Sequence, residues 1–446
     1  MPNIKVNDRF IASSLGINNY AKGICKIDSF LVFVDDLYQG ETAIIEITDV
    51  KKNYAFAKVI EYKNTIKERA KDKCHHSHLS GTCPFNNITL DYENYIKTNM
   101  VKSNIERALN IKLDNIECLS LNENDKRNKI TVFFNKLGEF GYFMPNTHNI
   151  VKIDDCIQIH SDILDLLNHL STLVKEYNIP IFDYVNKTGI FKGVSIRRSD
   201  YNQKMTIMLL STKLDNKYKD ITKLLISKYS NIIGVSVSII GKDTTVVYGK
   251  ETTLYGVNYI EEKILGNLYR ISNQSFLQVN TKGAELIYNT AIKMANLKTT
   301  DKVLDLYSGA GGISLSIAKY VKDVIGIEIV KDAVDSANYN KSINDINNVY
   351  FYNTDASNAK NIINNKKFDV IFVDPPRQGL SHDTIDFIIK ELPRKIIYVS
   401  CDSYTLSNNL KELIRFYELD DIKVLNTFVS SRHSEVVCAL SIKEQN

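Results

Sequence analysis

A regular alternation of apolar strands and amphipathic helices begins near residue 270 and constrains the fold of this chain more than any other feature. The helix-like segment TKGAELIYNTAIKMANL leads to the strand KVLDLY, the helix ISLSIAKYV, the strand VIGIEI and the helix KDAVDSANYNKSI. The strands VYFYNTD, FDVIFVDPP and KIIYVSC continue the series. Such alternation is typical of a doubly wound parallel sheet. Because ligands of these sheets bind beyond the carboxyl ends of the strands, the residues that end each strand are the first candidates for chemistry.

The chain divides into three predicted domains. Residues 1–62 contain the short alternating stretches FLVFVDDL, TAIIEITDV and AFAKVIEY, which predict a small antiparallel β-barrel. Residues 63–262 mix helical patterns with the strands GVSIRR, MTIMLL, GVSVSII and TTVVYG, and predict a central α+β domain. Residues 263–446 hold the alternating region and form the third domain.

Composition excludes several classes of protein. No apolar run in the sequence approaches the ~18 residues of a membrane span, and the start MPNIKVNDRF lacks the pattern of an export signal. Seven scattered cysteines suit a reducing compartment, so we expect a cytoplasmic protein. The net charge is only +4, yet residues 187–250 hold twelve Lys or Arg against four Asp. That surplus fits either a surface for a polyanion such as RNA or a well-solvated face.

The first strand of the alternating region ends in a glycine turn, DLYSGAGG. Its glycines, which allow a tight turn and close approach to a ligand, are Gly309, Gly311 and Gly312. A dinucleotide fingerprint would place a third glycine where Ser314 stands. The second strand ends on Glu328, which can bond both hydroxyls of a ribose, and Asp355 closes the third strand near the expected adenine amine. This order of residues indicates S-adenosylmethionine as the cofactor.

The fourth and fifth strands end in DPPRQG and in Cys401. The paired prolines rigidify a loop against which a flat ring can lie. Methylases of exocyclic amines usually place an aromatic residue after such prolines, where this chain has Arg377. RNA cytosine-C5 methylases usually carry a cysteine in this loop, and the sequence has none there. The loop therefore favours methylation of uracil at C5, with Cys401 as the candidate nucleophile.

Uracil C5 becomes nucleophilic only after a thiolate adds to C6, and cysteine suits this step because it is both a good nucleophile and a tolerable leaving group. A base must then remove the C5 proton so that the thiolate can leave. The candidate base is Glu435 in SRHSEVVCALSI, and His433 is close enough in sequence to orient or tune it. The competing interpretations are a buried strand-end thiol for Cys401 and a surface acid for Glu435.

With these residues in place, the chain resembles the S-adenosylmethionine-dependent RNA uracil-C5 methyltransferases over nearly its whole length. YAKGICKID, VFVDD and QGETAIIEI are similar to the TRAM RNA-binding module, and SFLQVN and DLYSGAGGISL to the family's cofactor segments. YVSCDSYTLSNNL and HSEVV match the stretches that hold the nucleophile and the base. The resemblance implies a Rossmann-like methyltransferase sheet at the C-terminus, a TRAM or OB-like β-barrel at the N-terminus and a central α+β domain.

The resemblance also implies roles for single residues. Gln278 would lie beside the methionine end of S-adenosylmethionine, and Tyr307 and the glycine turn would line its loop. Glu328 and Asp355 carry over as cofactor residues, and Asp374 as the acid near both the cofactor and the target base.

Two departures from the family lie beside the reacting groups. Asp402-Ser403 stands where the family usually has Asn-Pro, and VSSRHSE lacks the usual proline before the base. We expect these changes to loosen the site while leaving the reacting groups in place.

A third departure concerns a metal site. Many members bind a four-iron cluster through Cys-x5-Cys-x2-Cys and one later cysteine, and this spacing yields Cys74, Ser80, Cys83 and Cys156. Serine ligates iron poorly, because soft thiolates hold such clusters. Histidines that could substitute follow at once: His75, His76 and His78. We expect no metal; an iron–sulfur cluster and a zinc site are the alternatives.

The expected partner is RNA, with no membrane and no obligate protein partner. Arg197 and Arg198 are the candidate contacts in the central domain, and Arg377 is a further substrate residue. For the two central-domain arginines the competing interpretation is an exposed strand edge guarded by charges. The TRAM-like module favours 23S rRNA, and transfer RNA is the alternative. A catalytically vestigial RNA-binding protein and a cytosine-C5 methylase are the other functions that remain.

Overall fold

Three β-sheets and one β-hairpin organise the chain. The computed structural model describes residues 4–242, 248–359 and 367–444. A five-stranded sheet comes from the N-terminal region, a seven-stranded sheet from the middle and an eight-stranded sheet mainly from the C-terminal region. The predicted fold class, a Rossmann-like C-terminal sheet with an N-terminal small barrel and a central α+β region, is confirmed.

The N-terminal sheet curls into a small barrel. Its strands are β1 (Arg9–Ser13), β2 (Lys22–Ile27), β3 (Phe30–Asp35), β4 (Thr42–Val50) and β5 (Tyr54–Asn64), in the order β1-β4-β5-β3-β2. Alternate side chains such as Val32 and Ala55 fill its core. A backbone hydrogen bond of 2.8 Å from Leu15 to Ile24 joins the end of β1 to β2. The predicted antiparallel pairing holds except between β3 and β5, which are parallel.

A helical segment follows the barrel. It contains α1 (Ser77–Ser80), α2 (Leu90–Leu109) and the short strand β6 (Glu117–Ser120). Asp91 and Glu93 lie in the first turn of α2, where negative charge complements the helix dipole. The helix ends at Asn110, whose φ of 54° is a left-handed conformation that asparagine tolerates.

The central sheet has helices on one face. Its strands are β7 (Lys129–Phe134), β8 (Phe140–Phe143), β9 (Ile150–Lys152), β10 (Phe191–Arg198), β11 (Met205–Ser211), β12 (Ile232–Ile239) and β13 (Lys250–Gly256), in the order β13-β12-β11-β10-β7-β8-β9. The amphipathic helices α3 (Ser161–Glu176) and α4 (Lys217–Lys228) bury leucines such as Leu166 and Leu225 against it. Of the predicted strand TTVVYG, residues 244–247 lie outside the described residues.

A hairpin connects the central sheet to the C-terminal one. Its strands are β14 (Tyr259–Ile264) and β15 (Asn267–Ser272), so the predicted domain boundary at residue 262 falls inside β14. The turn between the strands uses Gly266, whose φ of 89° favours glycine.

The C-terminal sheet is doubly wound. Its strands are β16 (Lys302–Leu306), β17 (Asp323–Glu328), β18 (Val349–Asn353), β19 (Val370–Val373), β20 (Lys395–Ser400), β21 (Tyr417–Asn426) and β22 (Glu435–Ile442). The helices are α5 (Thr281–Ala295), α6 (Gly312–Ile317), α7 (Lys331–Ile343), α8 (His382–Glu391) and α9 (Ser403–Leu413), with 3-10 turns at Ala318–Tyr320 and Ala356–Asn358.

The strand order β18-β17-β16-β19-β20-β22-β21-β6 places a ligand site at its switch point. Strands β16 to β20 are parallel, β22 is antiparallel to both neighbours, and β6 adds an edge strand parallel to β21. The connections reverse direction between β16 and β19, and a crevice forms beyond the carboxyl ends of strands at such a point. No helix in the described ranges is long and apolar enough to cross a membrane.

Candidate active site

The glycine turn after β16 begins with a buried acid. Asp305 is 1% exposed and accepts a 2.5 Å hydrogen bond from Ser314 Oγ. Burial raises the Asp305 pKa to about 7. Gly311 has a φ of 87°, which favours glycine. A Cβ at Gly312 would lie 2.2 Å from Tyr288 Oη, so only glycine lets α6 start this close to α5.

The acids that end β17 and follow β18 lie at the same edge of the sheet. Glu328 Oε2 accepts a hydrogen bond of 3.0 Å from Gly309 N, and its Oε1 one of 2.8 Å from Val330 N. Asp355 caps a 3-10 turn by accepting 2.9 Å from Ser357 N, and hydrogen bonds from Ser357 lower its pKa. The strand order β18-β17-β16 thus places Glu328 directly beside the glycine turn and Asp355 one strand farther along the same edge of the sheet, close enough to Tyr307 for its charge to add to the rise that burial causes in the Tyr307 pKa.

The residues present fit S-adenosylmethionine, the cofactor predicted from the sequence. Among the described residues, Asp305 Oδ1 and Ser308 Oγ are buried without a hydrogen-bond partner beside the glycine turn. Buried polar atoms are rarely left unpaired, so this turn is built for a polar ligand. Tyr307 adopts a left-handed φ of 66°, a strained conformation for a tyrosine.

The SFLQVN loop leads into α5 beside the same sheet. Asn280 caps the helix by accepting 3.0 Å from Gly283 N, which fixes the loop just after Gln278. Phe276, two residues before Gln278, is 72% exposed.

Cys401 lies one residue beyond β20 and is half-buried. The next residue, Asp402, caps α9 by accepting hydrogen bonds of 3.0 Å from the backbone of Tyr404 and of Thr405. Burial raises the Cys401 pKa to about 11, and the charge of Glu435 raises it as well. The positive charge of Arg377 acts in the opposite direction and favours the thiolate.

Glu435 is the first residue of β22 and is 6% exposed. Burial raises its pKa to about 7, and Arg377 lowers it. Burial and the charge of Glu435 also raise the pKa of Asp374, which follows β19. Ser400 pairs with Val436 between β20 and β22, so Cys401 and Glu435 lie opposite each other at this edge of the sheet. Asp374 and Arg377 are close enough for their charges to act on the Cys401 thiol. His433 lies near Arg377 too, but burial lowers its pKa to about 4, so its ring is neutral at pH 7.

The loop before Glu435 is held by a buried ion pair on α2. Glu93 and Lys97 are each 1% exposed and lie 2.7 Å apart. Glu93 accepts hydrogen bonds of 2.9 Å from Ser430 N, and Lys97 Nζ donates to Asn426 Oδ1 at 2.7 Å and to Phe428 O at 3.2 Å. The sequence does not predict that this pair holds the loop, because no local pattern links residues more than 300 positions apart.

The central-domain arginines are not at a strand edge. β10 pairs with β7 and β11 on its two sides. Arg197 is 2% exposed and donates 2.8 Å to Ser275 O, in the loop that holds Gln278. Arg198 donates 2.7 Å to Asp162 and 3.2 Å to Asp200. The structure thus directs one arginine to the interior and pairs the other, and their RNA contacts stay a prediction.

Three of the four positions of the predicted metal motif come together. The thiols of Cys74, Cys83 and Cys156 lie close enough to raise one another's pKa. Ser80, at the second position of the motif, shares a 2.8 Å hydrogen bond with Thr82 Oγ1.

The histidines nearby pair with carboxylates, His76 with Asp155 at 3.0 Å and His78 with Asp72 at 2.7 Å. In the described ranges no group of three or more His, Cys, Asp or Glu is arranged to hold a metal ion. These residues therefore do not fit a cluster that needs four thiolates.

Known proteins resemble the chain along its whole length. The family model described as tRNA (Uracil-5-)-methyltransferase matches residues 140–443, and the TRAM domain model matches residues 14–60. A protein of Streptococcus mutans named as an uncharacterized RNA methyltransferase is 31% identical over 447 residues, 98% of this chain and 99% of its own. A similarly named protein of Streptococcus agalactiae is 31% identical over 444 residues, 97% of this chain and 98% of its own.

One solved structure matches both the barrel and the sheets. It is the Pyrococcus abyssi tRNA (uracil-54, C5)-methyltransferase in complex with S-adenosyl-L-homocysteine, with a TM-score of 0.80 and 22% identity. The match covers 96% of this chain and 99% of the archaeal chain. At this identity the likeness shows a shared fold.

Proposed function

This chain belongs to the tRNA (uracil-5-)-methyltransferase family of S-adenosylmethionine-dependent RNA methyltransferases, and from that premise we propose that it methylates C5 of a uridine in 23S rRNA through a covalent adduct on Cys401. The observation that carries the proposal is that Cys401 and Glu435 lie opposite each other on β20 and β22, with Asp374 after β19, the strand next to the one that carries the glycine turn. A thiol and two carboxyl groups beside a cofactor turn are the groups that this reaction needs.

The proposed reaction has three steps on the uracil ring. The Cys401 thiolate adds to C6, and the electron pair of the C5–C6 double bond moves to C5. S-adenosylmethionine would supply an electrophilic methyl group; C5 bonds to that methyl as the methyl–sulfur bond breaks and its electron pair returns to the sulfur, which leaves S-adenosylhomocysteine. Glu435 then accepts the C5 proton, the double bond re-forms and the Cys401 sulfur leaves as thiolate.

Each group suits its proposed step. A carboxyl group with a pKa of about 7 is poised to accept a proton near neutral pH. The thiol pKa of about 11 means that little thiolate is present before substrate binds, and Arg377 is the cation that offsets this. Neutral His433 adds no charge that would weaken Glu435 as a base.

The cofactor roles extend the same proposal. Glu328 has lone pairs free beyond its two backbone hydrogen bonds and would accept from the ribose hydroxyls. Asp355 would accept from the adenine amine. Gln278, Tyr307 and Asp374 would bind the methionine end, where the methyl group is presented.

The RNA substrate is the part that needs a direct test. The TRAM domain at the N-terminus favours ribosomal RNA as the substrate. The archaeal structure named for transfer RNA uracil-54 matches nearly the whole of this chain, however, so transfer RNA is a second candidate. A uridine in folded RNA is stacked, so in either case the target base must be turned out of its stack.

Denaturing gel electrophoresis with 5-fluorouridine RNA tests the proposal. Fluorine at C5 cannot be removed as a proton, so the adduct is trapped. We expect a protein–RNA band with S-adenosylmethionine and a 5-fluorouridine 23S rRNA fragment, none with Cys401→Ala, and a normal band with the control Cys118→Ala, which removes a half-buried thiol from β6.

A band only with transfer RNA would select the second candidate, and no band with either RNA would refute the adduct. Mass mapping of both RNAs from a strain without the gene would then locate the uridine. If digestion of the product gave 5-methylcytidine, the base assignment would be wrong.

A further inference from the structure

Three aromatic side chains form a cluster on the outer face of the barrel. Phe33 on β3 pairs in register with Phe56 on β5, and Tyr54 lies two residues before Phe56. Their ring centroids are 5.5 to 6.1 Å apart, and all three rings are half-buried. Their sequence neighbours Val34 and Ala55 point into the barrel core, so the rings face outward.

The aromatic cluster lines a groove that reaches the active-site loop. The groove has a volume of about 1590 Å³ and runs from the barrel past Cys83 and Cys156 to Arg432 and His433, just before Glu435. The Arg432 guanidinium lies 5.4 Å from the ring of Tyr20, which belongs to the barrel and is 67% exposed. The groove therefore joins the barrel to the loop that precedes the proposed base.

Unpaired positive charge lies at the active-site end of this groove. Toward the barrel, Lys22 pairs with Asp35, and Lys58 lies 2.9 Å from Glu46. Among the described residues, Arg432 and Arg127 show no ion pair: the Arg432 guanidinium lies over the Tyr20 ring and that of Arg127 over the Phe428 ring, and Arg127 Nε is buried without a hydrogen-bond partner. Cations without an acidic partner therefore lie near the proposed base, and half-buried aromatic rings line the barrel end of the groove.

We infer that this groove binds the single-stranded RNA that flanks the target uridine, with phosphates at Arg432 and Arg127 and unpaired bases stacked on Phe33, Tyr54 and Phe56. The inference rests on the proposed function, because it extends the substrate site of that reaction. Aromatic rings joined to a basic track are the usual means of binding single strands. A paired stem hides its bases from such rings, and an acidic protein would find few free cations at the barrel end.

Fluorescence anisotropy of the full-length protein tests the inference. The probes are a labelled oligouridylate of about 12 nucleotides, in the range that such surfaces span, and an RNA duplex of the same length. The double variant Phe33→Leu/Phe56→Leu keeps apolar volume but removes two π-faces. Tyr350→Leu is the matched control, because Tyr350 is 46% exposed on β18 and does not line the groove.

We expect the double variant to bind the oligouridylate at least about tenfold more weakly and to bind the duplex as the wild type does. For an RNA substrate of the methylation reaction, KM should rise by a larger factor than kcat falls. The control should match the wild type. Unchanged oligouridylate binding, or an equal loss with the duplex, overturns the inference. If circular dichroism shows that the double variant is unfolded, Tyr54→Leu replaces it with the same expected outcomes.

The wild-type adduct with 5-fluorouridine RNA separates this inference from the proposed function. If no adduct forms while oligouridylate binding still depends on Phe33 and Phe56, the RNA-binding groove is supported and the proposed methylation mechanism is refuted. If the adduct forms and the double variant binds the oligouridylate normally, the proposed mechanism is supported and the assignment of the groove is refuted.

Discussion

The proposed nucleophile and the proposed base are held in opposite ways. Cys401 is placed by its own neighbours, since β20 ends directly before it and Asp402 caps the helix directly after it. Glu435 follows a loop whose backbone is bound by Glu93 on α2, 337 positions away in the chain. The Cys401 side of the site is therefore encoded by neighbouring residues in the sequence, and the Glu435 side depends on a long-range buried contact.

The contacts that hold Cys401 and those that hold Glu435 also differ in how much folding free energy is lost when they are removed. A capping side chain at a half-exposed helix start can be replaced by water with modest loss. The Glu93–Lys97 pair lies in the interior, where burial lowers the Lys97 pKa and an unpaired charge is expensive. We therefore expect the Glu435 side to be the more fragile.

The largest effect is expected from the base itself. Glu435→Gln keeps the shape of the side chain but cannot accept the C5 proton, so methylation turnover should fall by about 10²- to 10⁴-fold. Because methyl transfer precedes this step, protein–RNA adduct should accumulate with ordinary uridine RNA and S-adenosylmethionine. Quench-flow sampling on denaturing gels measures both quantities. Normal turnover would show that another group is the base.

Breaking the long-range support should destabilise the protein. Lys97→Met leaves the Glu93 carboxylate buried without its cation, and we expect a loss of about 3–5 kcal/mol in the free energy of unfolding, measured with urea. The control Lys331→Met removes a lysine that is 72% exposed and pairs with Asp335 on α7, and it should cost less than about 1 kcal/mol.

A second variant sharpens that result. Glu93→Gln/Lys97→Met removes both charges and should recover part of the lost stability, because no uncompensated charge is left. Equal losses for Lys97→Met and Lys331→Met would mean that the buried pair contributes no more than a surface pair.

Adduct breakdown and adduct formation should depend on pH in different ways, because the first needs Glu435 and the second needs Cys401. Only the ionised form of Glu435 accepts a proton, and its pKa is about 7. Below pH 7 the rate of breakdown should therefore rise about tenfold per pH unit and level off above it. Adduct formation needs the Cys401 thiolate, whose pKa is about 11, and should keep rising beyond pH 8. Single-turnover experiments between pH 5.5 and 8.5 distinguish the two profiles. A flat breakdown rate across pH 7 would contradict this assignment.

The local features of the molecule were predictable from the sequence. The alternation from residue 270 predicted the doubly wound sheet, and strand ends placed Glu328 and Cys401, because such signals lie within a few residues. The parallel pairing of β3 with β5 and the recruitment of β6 to the C-terminal sheet were not predictable. Those pairings depend on which surfaces meet after the chain has collapsed, and no local pattern records that.

The same difference explains why the sequence does not show that Arg197 is enclosed. In sequence it stands among charged residues at the end of a strand, and only the neighbouring strands on both sides of β10 show that it is enclosed. The Glu93–Lys97 pair escaped notice for a related reason, since an i,i+4 ion pair on a helix usually faces solvent.

The smallest effect is expected on the local side of the site. The departure Asp402-Ser403 predicts a looser nucleophile loop. In the structure, however, Asp402 caps α9, and Ser403 Oγ accepts a hydrogen bond of 2.8 Å from Asn104 Nδ2 on α2. Asp402→Ala should cost about 1 kcal/mol of unfolding free energy and leave the adduct yield intact. Asp402→Asn should cost almost nothing, because asparagine caps equally well. A large loss of adduct in Asp402→Asn would show instead that the carboxylate charge acts on Cys401, and the nucleophile would then depend on more than its local frame.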